Sequence, residues 1–366
     1  MSYLSLLRNN ILDFLEEFSV TGTIITANSG NLLLGWGEKE FSSAPFEIGS
    51  VSFFSPDFFL QNKNPWFRHP HTAEMTPCDL TNILRSKRKS EKGPEITFCN
   101  PDKVFFENLF VELKQHYFQS GKLVKGVPFT GKQAKVGVTT PILLKSLRKL
   151  LSYQEQKKIF LYGSWNNGEG ILGGTPEFLF RKSAGNSCRI ETVACAGTGS
   201  IEEKDVLLSD EKIRREHNWV VEGIVESLSP YGNVLSDNTG IRGFPGLYHL
   251  FTPIELQSKD DLSFDLLVDL LHPTAAIGAY PKKEGMNWLK EIHKKFDRHR
   301  FGAPFGYIGK NSDEFACYVA IRNMQWNKDM TTITAGCGVT SESDLCTEWK
   351  EMILKFATIK SMLGLS

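Results

Sequence analysis

A chain of 366 residues with 42 basic and 42 acidic side chains has no net field with which to recruit nucleic acid or an anionic membrane. Its hydrophobic content of 41% and charged content of 23% are those of an ordinary globular protein. The length exceeds that at which one core usually stops growing, so one large intertwined body or two domains are expected, and any anionic ligand must be held by local groups.

The opening stretch "MSYLSLLRNNILDFLEEFSV" carries Arg8, Asp13, Glu16 and Glu17 through its length, so it reads as an amphipathic helix rather than a signal peptide. Residues 20–60 alternate short β-rich runs, "TGTIITA", "NLLLGW" and "IGSVSFFS", with Gly, Asn and Ser, which predicts a meander of strands. The stretch "QNKNPWFRHPHTAEMTPCDL" is irregular. The basic run "RSKRKSEKGPE" at 85–95 lacks interleaved aromatics and reads as a solvated loop.

From Asp102 the pattern turns helical, with an aspartate cap and an end at Gly121. "KLVKGVPF" is extended, and "PILLKSLRKLLSY" is a helix with proline in its first turn. "KKIFLYGSW" and "GILGGTPEFLFRK" pair around an "NNGEG" turn. A long helix follows in "SDEKIRREHNWVVEGIVESL", then strands in "FACYVAIRNMQW" and "TTITAGCGV", and a closing helix in "TEWKEMILK". No internal repeat or long linker interrupts this mixed order, which predicts an α+β body. The seven cysteines (Cys78, Cys99, Cys188, Cys195, Cys317, Cys337, Cys346) are odd in number and contain no C-x-x-C pair, so neither a disulfide framework nor a thiolate zinc site is expected. No apolar run approaches the ~20 residues of a membrane span. A reducing cytoplasm is the expected location.

Several side chains sit where their chemistry needs a reason. In the last helix Glu348, Glu351 and Lys355 share one side with Met352, while Trp349, Met352, Ile353 and Phe356 want a core. Glu216 borders the apolar stripe Ile213, Val220, Ile224, Leu228, where its partner is either Lys212, Arg214 or Arg215, or a metal. Three carboxylates at buried helix edges suit Mg²⁺, a hard cation that keeps several waters. Arg322 lies late in a nearly uncharged strand, on the face of Tyr318 and Ala320, and must hold an anion: a structural carboxylate, or a ligand's. The corners "CAGTGS" and "TAGCGV" read as turns that also let backbone N–H groups approach a ligand, and neither is a P-loop or a dinucleotide fingerprint. Glu177, between Pro176 and an apolar run, is an exposed edge residue or a desolvated acid. Lys125 is a surface lysine or, if desolvated, a proton acceptor. His272 in "LLHPTAAIG" reads as a core histidine bonded to backbone.

In this order the stretches "GTPEFLFRK", "ACAGT", "SDEKIRREHNWVV", "LLHPTAAIGAYP", "FDRHRFGAPFGYIG", "AIR", "AGCGV" with "SESD", and "EWKEMILK" resemble the chorismate-utilising enzymes, isochorismate synthases above all. The likeness covers residues 101–366, the chorismate-binding region, of what would be a single intertwined catalytic domain over 1–366; residues 1–100 are poorly matched. The fold the resemblance implies is two intertwined subdomains forming a central antiparallel β-sandwich with outer helices. The substrate would be chorismate and the cofactor Mg²⁺, held by Glu216 and Glu351, with Glu348 direct or through water. Gly197 and Thr198 would support the ring carboxylate; Arg322, Lys355 and the backbone at Gly336 and Gly338 would hold the enolpyruvyl carboxylate. His272 and Ala276 belong to the matched substrate-binding stretch. Glu177 matches the family's acid. The base is a lysine after the helix ending "SGKLVK": Lys125, with Lys135 as competitor, since "KGVPFTGKQAKVGV" departs from the family's usual strand. Ala276, where ammonia-using anthranilate and aminodeoxychorismate synthases carry a threonine-type residue, points to isochorismate synthase, an isomerase with no obligatory glutaminase partner. Salicylate synthase, which eliminates pyruvate after the same first step, is the runner-up, and a chorismate-binding protein without turnover comes last. Isochorismate would feed a quinone such as menaquinone, a siderophore or salicylate.

Overall fold

Three aspartates start three helices in the same way. Asp102 accepts a hydrogen bond from the Phe105 amide at 2.8 Å, Asp210 from Ile213 at 2.9 Å and Asp344 from Thr347 at 2.9 Å, which satisfies amides that have no partner in a helix's first turn. These helices, Lys103–Glu112, Glu211–Leu228 and Leu345–Leu363, belong to a computed structural model that describes residues 11–86, 95–156, 158–186 and 188–365. Most of the basic run 85–95, and the first ten residues of the opening segment, lie outside the described residues. The rest of that segment is the helix Ile11–Val20, which buries Phe14, Leu15 and Phe18.

The predicted α+β architecture is present as two large antiparallel sheets and a small one. The first sheet has eight strands, in spatial order His71–Met75, Leu32–Trp36, Thr21–Thr26, Phe160–Asn166, Glu169–Thr175, Asn323–Trp326, Thr331–Gly336 and Phe129–Ala134. The second runs Gly232–Ser236, Leu247–Ser258, Arg189–Gly199, Phe178–Lys182, Phe315–Val319, Pro304–Ile308, Ser52–Phe54, Trp66–Arg68, Glu40–Ser42, with Gly240–Phe244 also on the Leu247–Ser258 edge. Ile25, Leu33, Tyr162 and Ile171 of the first sheet pack with Phe53, Phe67, Phe305, Tyr307 and Tyr318 of the second, and this shared layer makes the pair a sandwich. Strands from residues 21–75 enter both sheets. The third sheet joins Ala279–Tyr280, Lys125–Gly126 and Val339–Thr340.

The hairpin around "NNGEG" forms as its residues dictate: Asn167 and Gly168 both take positive φ, 47° and 91°, the pair of left-handed residues that a two-residue turn between right-twisted strands requires. The helix from Lys103 widens into a π-helical turn over Leu113–Phe118 before Gly121.

Three expectations are corrected. "FACYVAIRNMQW" is not one strand: Phe315–Val319 lies in the second sheet and Asn323–Trp326 in the first, and Arg322 sits at the crossing with φ 57°. "CAGTGS" is not a turn but part of the strand Arg189–Gly199, whose register slips between Ala196 and Thr198 to make a bulge at Gly197. Ile353 faces solvent at 42% exposure, because Met352, Phe356, Ile359 and Met362 already fill the helix's buried side.

Candidate active site

Two neighbouring crossings between the large sheets place the two least ordinary side chains. The chain leaves the first sheet at Thr175, passes Pro176 and Glu177, and enters the second at Phe178; it returns from Val319 through Ala320–Arg322 to Asn323. The crossings are tied together, since the Val319 amide donates to the Glu177 carbonyl at 3.2 Å and the Gly174 amide to the Arg322 carbonyl at 3.3 Å. Tyr162 Oη donates to the Ile321 carbonyl at 2.8 Å and fixes the second crossing from below. Glu177 and Arg322 therefore enter the same cleft by construction of the sandwich.

The cleft is narrow, about 60 Å³, and Glu177, Gly197, Thr198, Glu216, Ala276, Arg322, Gly336, Gly338, Glu351 and Lys355 all line it. Glu177 is only 3% exposed, so it is no exposed edge residue; burial pushes its carboxyl up to about 8, against the smaller opposing pull of Lys125, the Thr274 hydroxyl and Arg322. It is therefore protonated near neutral pH and able to give a proton. Thr274 Oγ donates to it at 3.5 Å. Arg322 is 6% exposed, and among the described residues no carboxylate pairs with it within 4.0 Å and Nε has no hydrogen-bond partner. Burial pushes it down to about 10, with Glu351 and Glu177 opposing, so the guanidinium stays charged. The structural-carboxylate alternative for Arg322 thus has no candidate there, and an unpaired buried cation calls for an anion from outside.

Lys125 comes from the small sheet and is fully buried, with Nζ 3.2 Å from Glu216 Oε1 and no hydrogen-bond partner of good geometry. Lys135 is exposed beyond the end of the strand Phe129–Ala134 and does not line the cleft. The Glu216 partner is therefore Lys125 and none of the three basic neighbours on its own helix: Lys212 holds Glu348 at 2.7 Å, and Arg215 holds Glu342.

Two glycines are required by this packing. A Cβ on Gly338 would overlap Glu216 Oε1 and crowd Lys125 Cε, and one on Gly197, which has φ 73°, would lie 2.6 Å from Ile213 Cγ2 on the helix that carries Glu216. Lys355 Nζ bridges Glu351 at 2.5 Å and the Gly336 carbonyl at 2.7 Å, so the Gly336 corner is fixed through its C=O.

The three acids do not converge as expected. Glu216 and Glu351 line the cleft, whereas Glu348 lies behind it against Lys212, and among the described residues no three metal-ligating side chains surround one point. Glu348 does feel the other two: burial, then Glu351, raises its carboxyl, with Lys212 opposing and Glu216 adding. The donor set fits Mg²⁺ in the way that ion is usually bound, by one or two carboxylates with waters and ligand oxygens completing the shell. His272 is a second correction. Its Nε2 donates to the Phe58 carbonyl at 2.7 Å and its ring packs edge-on against Phe58, outside the cleft lining, so it anchors the N-terminal part and does not face a ligand there.

Sequence reading missed Phe301, Ile321, Thr274 and His249. His249 is buried beside Thr198, its Nδ1 3.3 Å from the Thr198 hydroxyl and its Nε2 without a partner; burial, Arg322 and Lys355 hold it well below the usual histidine range, so it is neutral. It reads as one more histidine in an alternating strand, with nothing local to mark it. A roomier cavity, about 1130 Å³, lies elsewhere between the sheets, but its Arg181–Glu191 and Arg189–Glu255 pairs are already closed, and none of the candidate side chains reaches it.

An arginine without a paired anion, a neutral carboxylic acid and two lysine–carboxylate pairs, on a sandwich with two tied crossings, form a site suited to a small anion. The chain belongs to the chorismate-binding enzymes: the family model described as "Chorismate binding enzyme" matches residues 111–364. It is 33% identical over 205 residues to the salicylate biosynthesis isochorismate synthase of Pseudomonas aeruginosa, covering 53% of this chain and 42% of that one. It is 30% identical over 238 residues to isochorismate synthase MenF of Bacillus subtilis, covering 61% and 48%. The chain thus matches about half the length of these curated relatives. The solved structure of the menaquinone-specific isochorismate synthase MenF from Escherichia coli shares the fold, with a TM-score of 0.75 over 99% of this chain and 91% of that one at 18% identity. Among the described residues no helix is long and apolar enough to cross a membrane.

Proposed function

We propose that this protein is an isochorismate synthase, adding water at ring carbon 2 of chorismate while the carbon 4 hydroxyl leaves as water. The observation that carries the reading is the buried, protonated Glu177 in one cleft with the unpaired Arg322, and the buried Lys125 reaching that cleft's Glu216 from behind its lining. Lys125 takes a proton from the attacking water and Glu177 gives one to the departing hydroxyl, so the two act as base and acid. Arg322 and Lys355 hold the enolpyruvyl carboxylate, the guanidinium by a two-pronged contact. Gly197, Thr198 and Ala276 face the ring end. Mg²⁺, held by Glu216 and Glu351 with Glu348 behind them, would neutralise and orient the ring carboxylate. On this reading the Lys125–Glu216 and Lys355–Glu351 pairs separate when ligand and metal bind: Lys355 turns to the substrate carboxylate, and Lys125, without its carboxylate, gives up a proton to solvent before taking one from the attacking water. The free thiols of Cys78, Cys99, Cys195, Cys317, Cys337 and Cys346 suit a reducing cytoplasm.

Separation of products after incubation with chorismate and Mg²⁺ tests the reading. Isochorismate is expected; salicylate with pyruvate would make it a salicylate synthase, an aminated ring on adding ammonium salts would move it to the anthranilate branch, and intact chorismate would leave a binder.

A further inference from the structure

A separate cavity of about 280 Å³, which shares no lining residue with the cleft, is not used by the proposed reaction. Its walls are Phe41, Phe67, Trp165 and Trp326, and two cations enter it: Lys39, just after the strand Leu32–Trp36, and Arg300, from the segment before Pro304. Lys39 Nζ donates to Ser164 Oγ at 2.6 Å and to the Trp165 carbonyl at 3.1 Å, and lies 4.9 Å over the Phe67 ring. Arg300 lines the cavity and is anchored through its backbone amide, which donates to Gln325 Oε1 at 3.0 Å. Among the described residues neither cation has a carboxylate within 4.0 Å. Glu169 on the rim opposes their repulsion only at a distance. Burial, then Arg300, pushes the Lys39 ammonium down to about 7, with Glu169 opposing.

Two half-buried cations lining one cavity, opposed by Glu169 and, for Arg300, Asp57 but ion-paired to neither, are costly unless an anion joins them. We propose that this cavity is a second ligand site, binding a small organic anion whose carboxylate or phosphate group lies between Lys39 and Arg300 and whose flat body packs on Phe67 and Trp326. The site is independent of the catalytic cleft and of the reaction assigned to it. Asn62, Asn64 and Gln325 also line it.

Calorimetric titration of the full chain with benzoate and with phenyl phosphate tests it. Saturable binding of either probe is expected, and which one binds more tightly identifies the head group. Lys39→Met and Arg300→Met should each weaken that binding at least tenfold, and Arg322→Met, in the catalytic cleft, should leave it unchanged. The reverse pattern, or no binding of either probe at about 10 mM, overturns the proposal. A second measurement needs no variant: acylation of the Lys39 amine in the wild-type protein, followed by peptide mass, should slow several-fold with saturating probe. An unchanged labelling rate at a concentration that saturates the calorimetric signal would equally sink it.

Discussion

Glu177 is costly to fold around once its proton is lost, and that cost makes it useful. Its folded value of about 8 lies above the ordinary 4.5, so the folded protein keeps a proton that the unfolded chain releases. Stability from this group is therefore lost as pH rises from about 4.5 to 8, and the loss is complete above 8. Glu177→Gln should abolish the acid step, lowering kcat by about 10²- to 10⁴-fold while chorismate still binds. The same variant should be more stable than wild type at pH 8, by on the order of 4 kcal/mol and so with a higher Tm, and should melt at the same temperature near pH 4. Calorimetry at the two pH values checks this; an equal Tm at both would mean the carboxyl is ionised where it stands. The wild-type rate should fall on the alkaline side of pH 8 as the acid loses its proton. For the base, Lys125→Ala should remove turnover, whereas Lys135→Ala, on an exposed side chain, should leave the rate within twofold; the opposite ranking would transfer the role. Glu177 and Lys125 were visible in the sequence only as ambiguous residues, since desolvation is a property of the crossing and the small sheet that surround them. His249 and Thr274 were not visible at all, because a lone polar residue in an apolar stretch looks the same whether it faces a core or a cleft.

At the level of elements, local chemistry decided well and long-range chemistry did not. Aspartate caps, the Asn-Gly turn and the apolar periods of the helices are contiguous signals, and each produced the element it predicts. The crossing at Arg322 has none: apolar residues run on through Val319, Ala320 and Ile321, and only the left-handed φ of Arg322 separates two strands that belong to different sheets. The pairing of Glu216 with Lys125, and of Glu348 with Lys212, joins positions far apart in the chain, where three basic neighbours of Glu216 competed on equal terms. The closing helix gives a test of how an element positions the cleft. Asp344 caps it one turn before Glu348 and two before Glu351, so Asp344→Ala should lower the melting temperature. It should also raise the Mg²⁺ concentration needed for half-maximal rate, because fraying begins at the turn that carries the carboxylates. Gly338→Ala should do the same more severely without touching the helix, by displacing the Glu216 carboxylate.

For the whole molecule the cleft matters because it draws on every layer at once. The first sheet supplies Gly336 at a strand end, the second supplies Gly197 and Thr198 at a bulge, the small sheet supplies Lys125, and the helices supply Glu216, Glu351 and Lys355. Its charges are mutually satisfied in pairs, Lys125 with Glu216 and Lys355 with Glu351, while Arg322 waits for an anion. On the proposed reading a dianion binding with a divalent cation would re-sort these pairs, Glu216 and Glu351 turning to the metal and Lys355 to the substrate while Lys125 is left as base, so neither ligand is expected to bind well alone. The predicted outcome is a synergy in thermal stability. Mg²⁺ alone and chorismate alone should each shift Tm little, whereas both together, at about a hundred times the joint Kd, should add about 2.7 kcal/mol, since only the folded cleft binds them. The shift should vanish with chelator and be absent in Arg322→Met. Full stabilisation by chorismate in the presence of chelator would show that the carboxylates were not the metal's partners, and the cleft would then have to hold its dianion with cations from the protein alone.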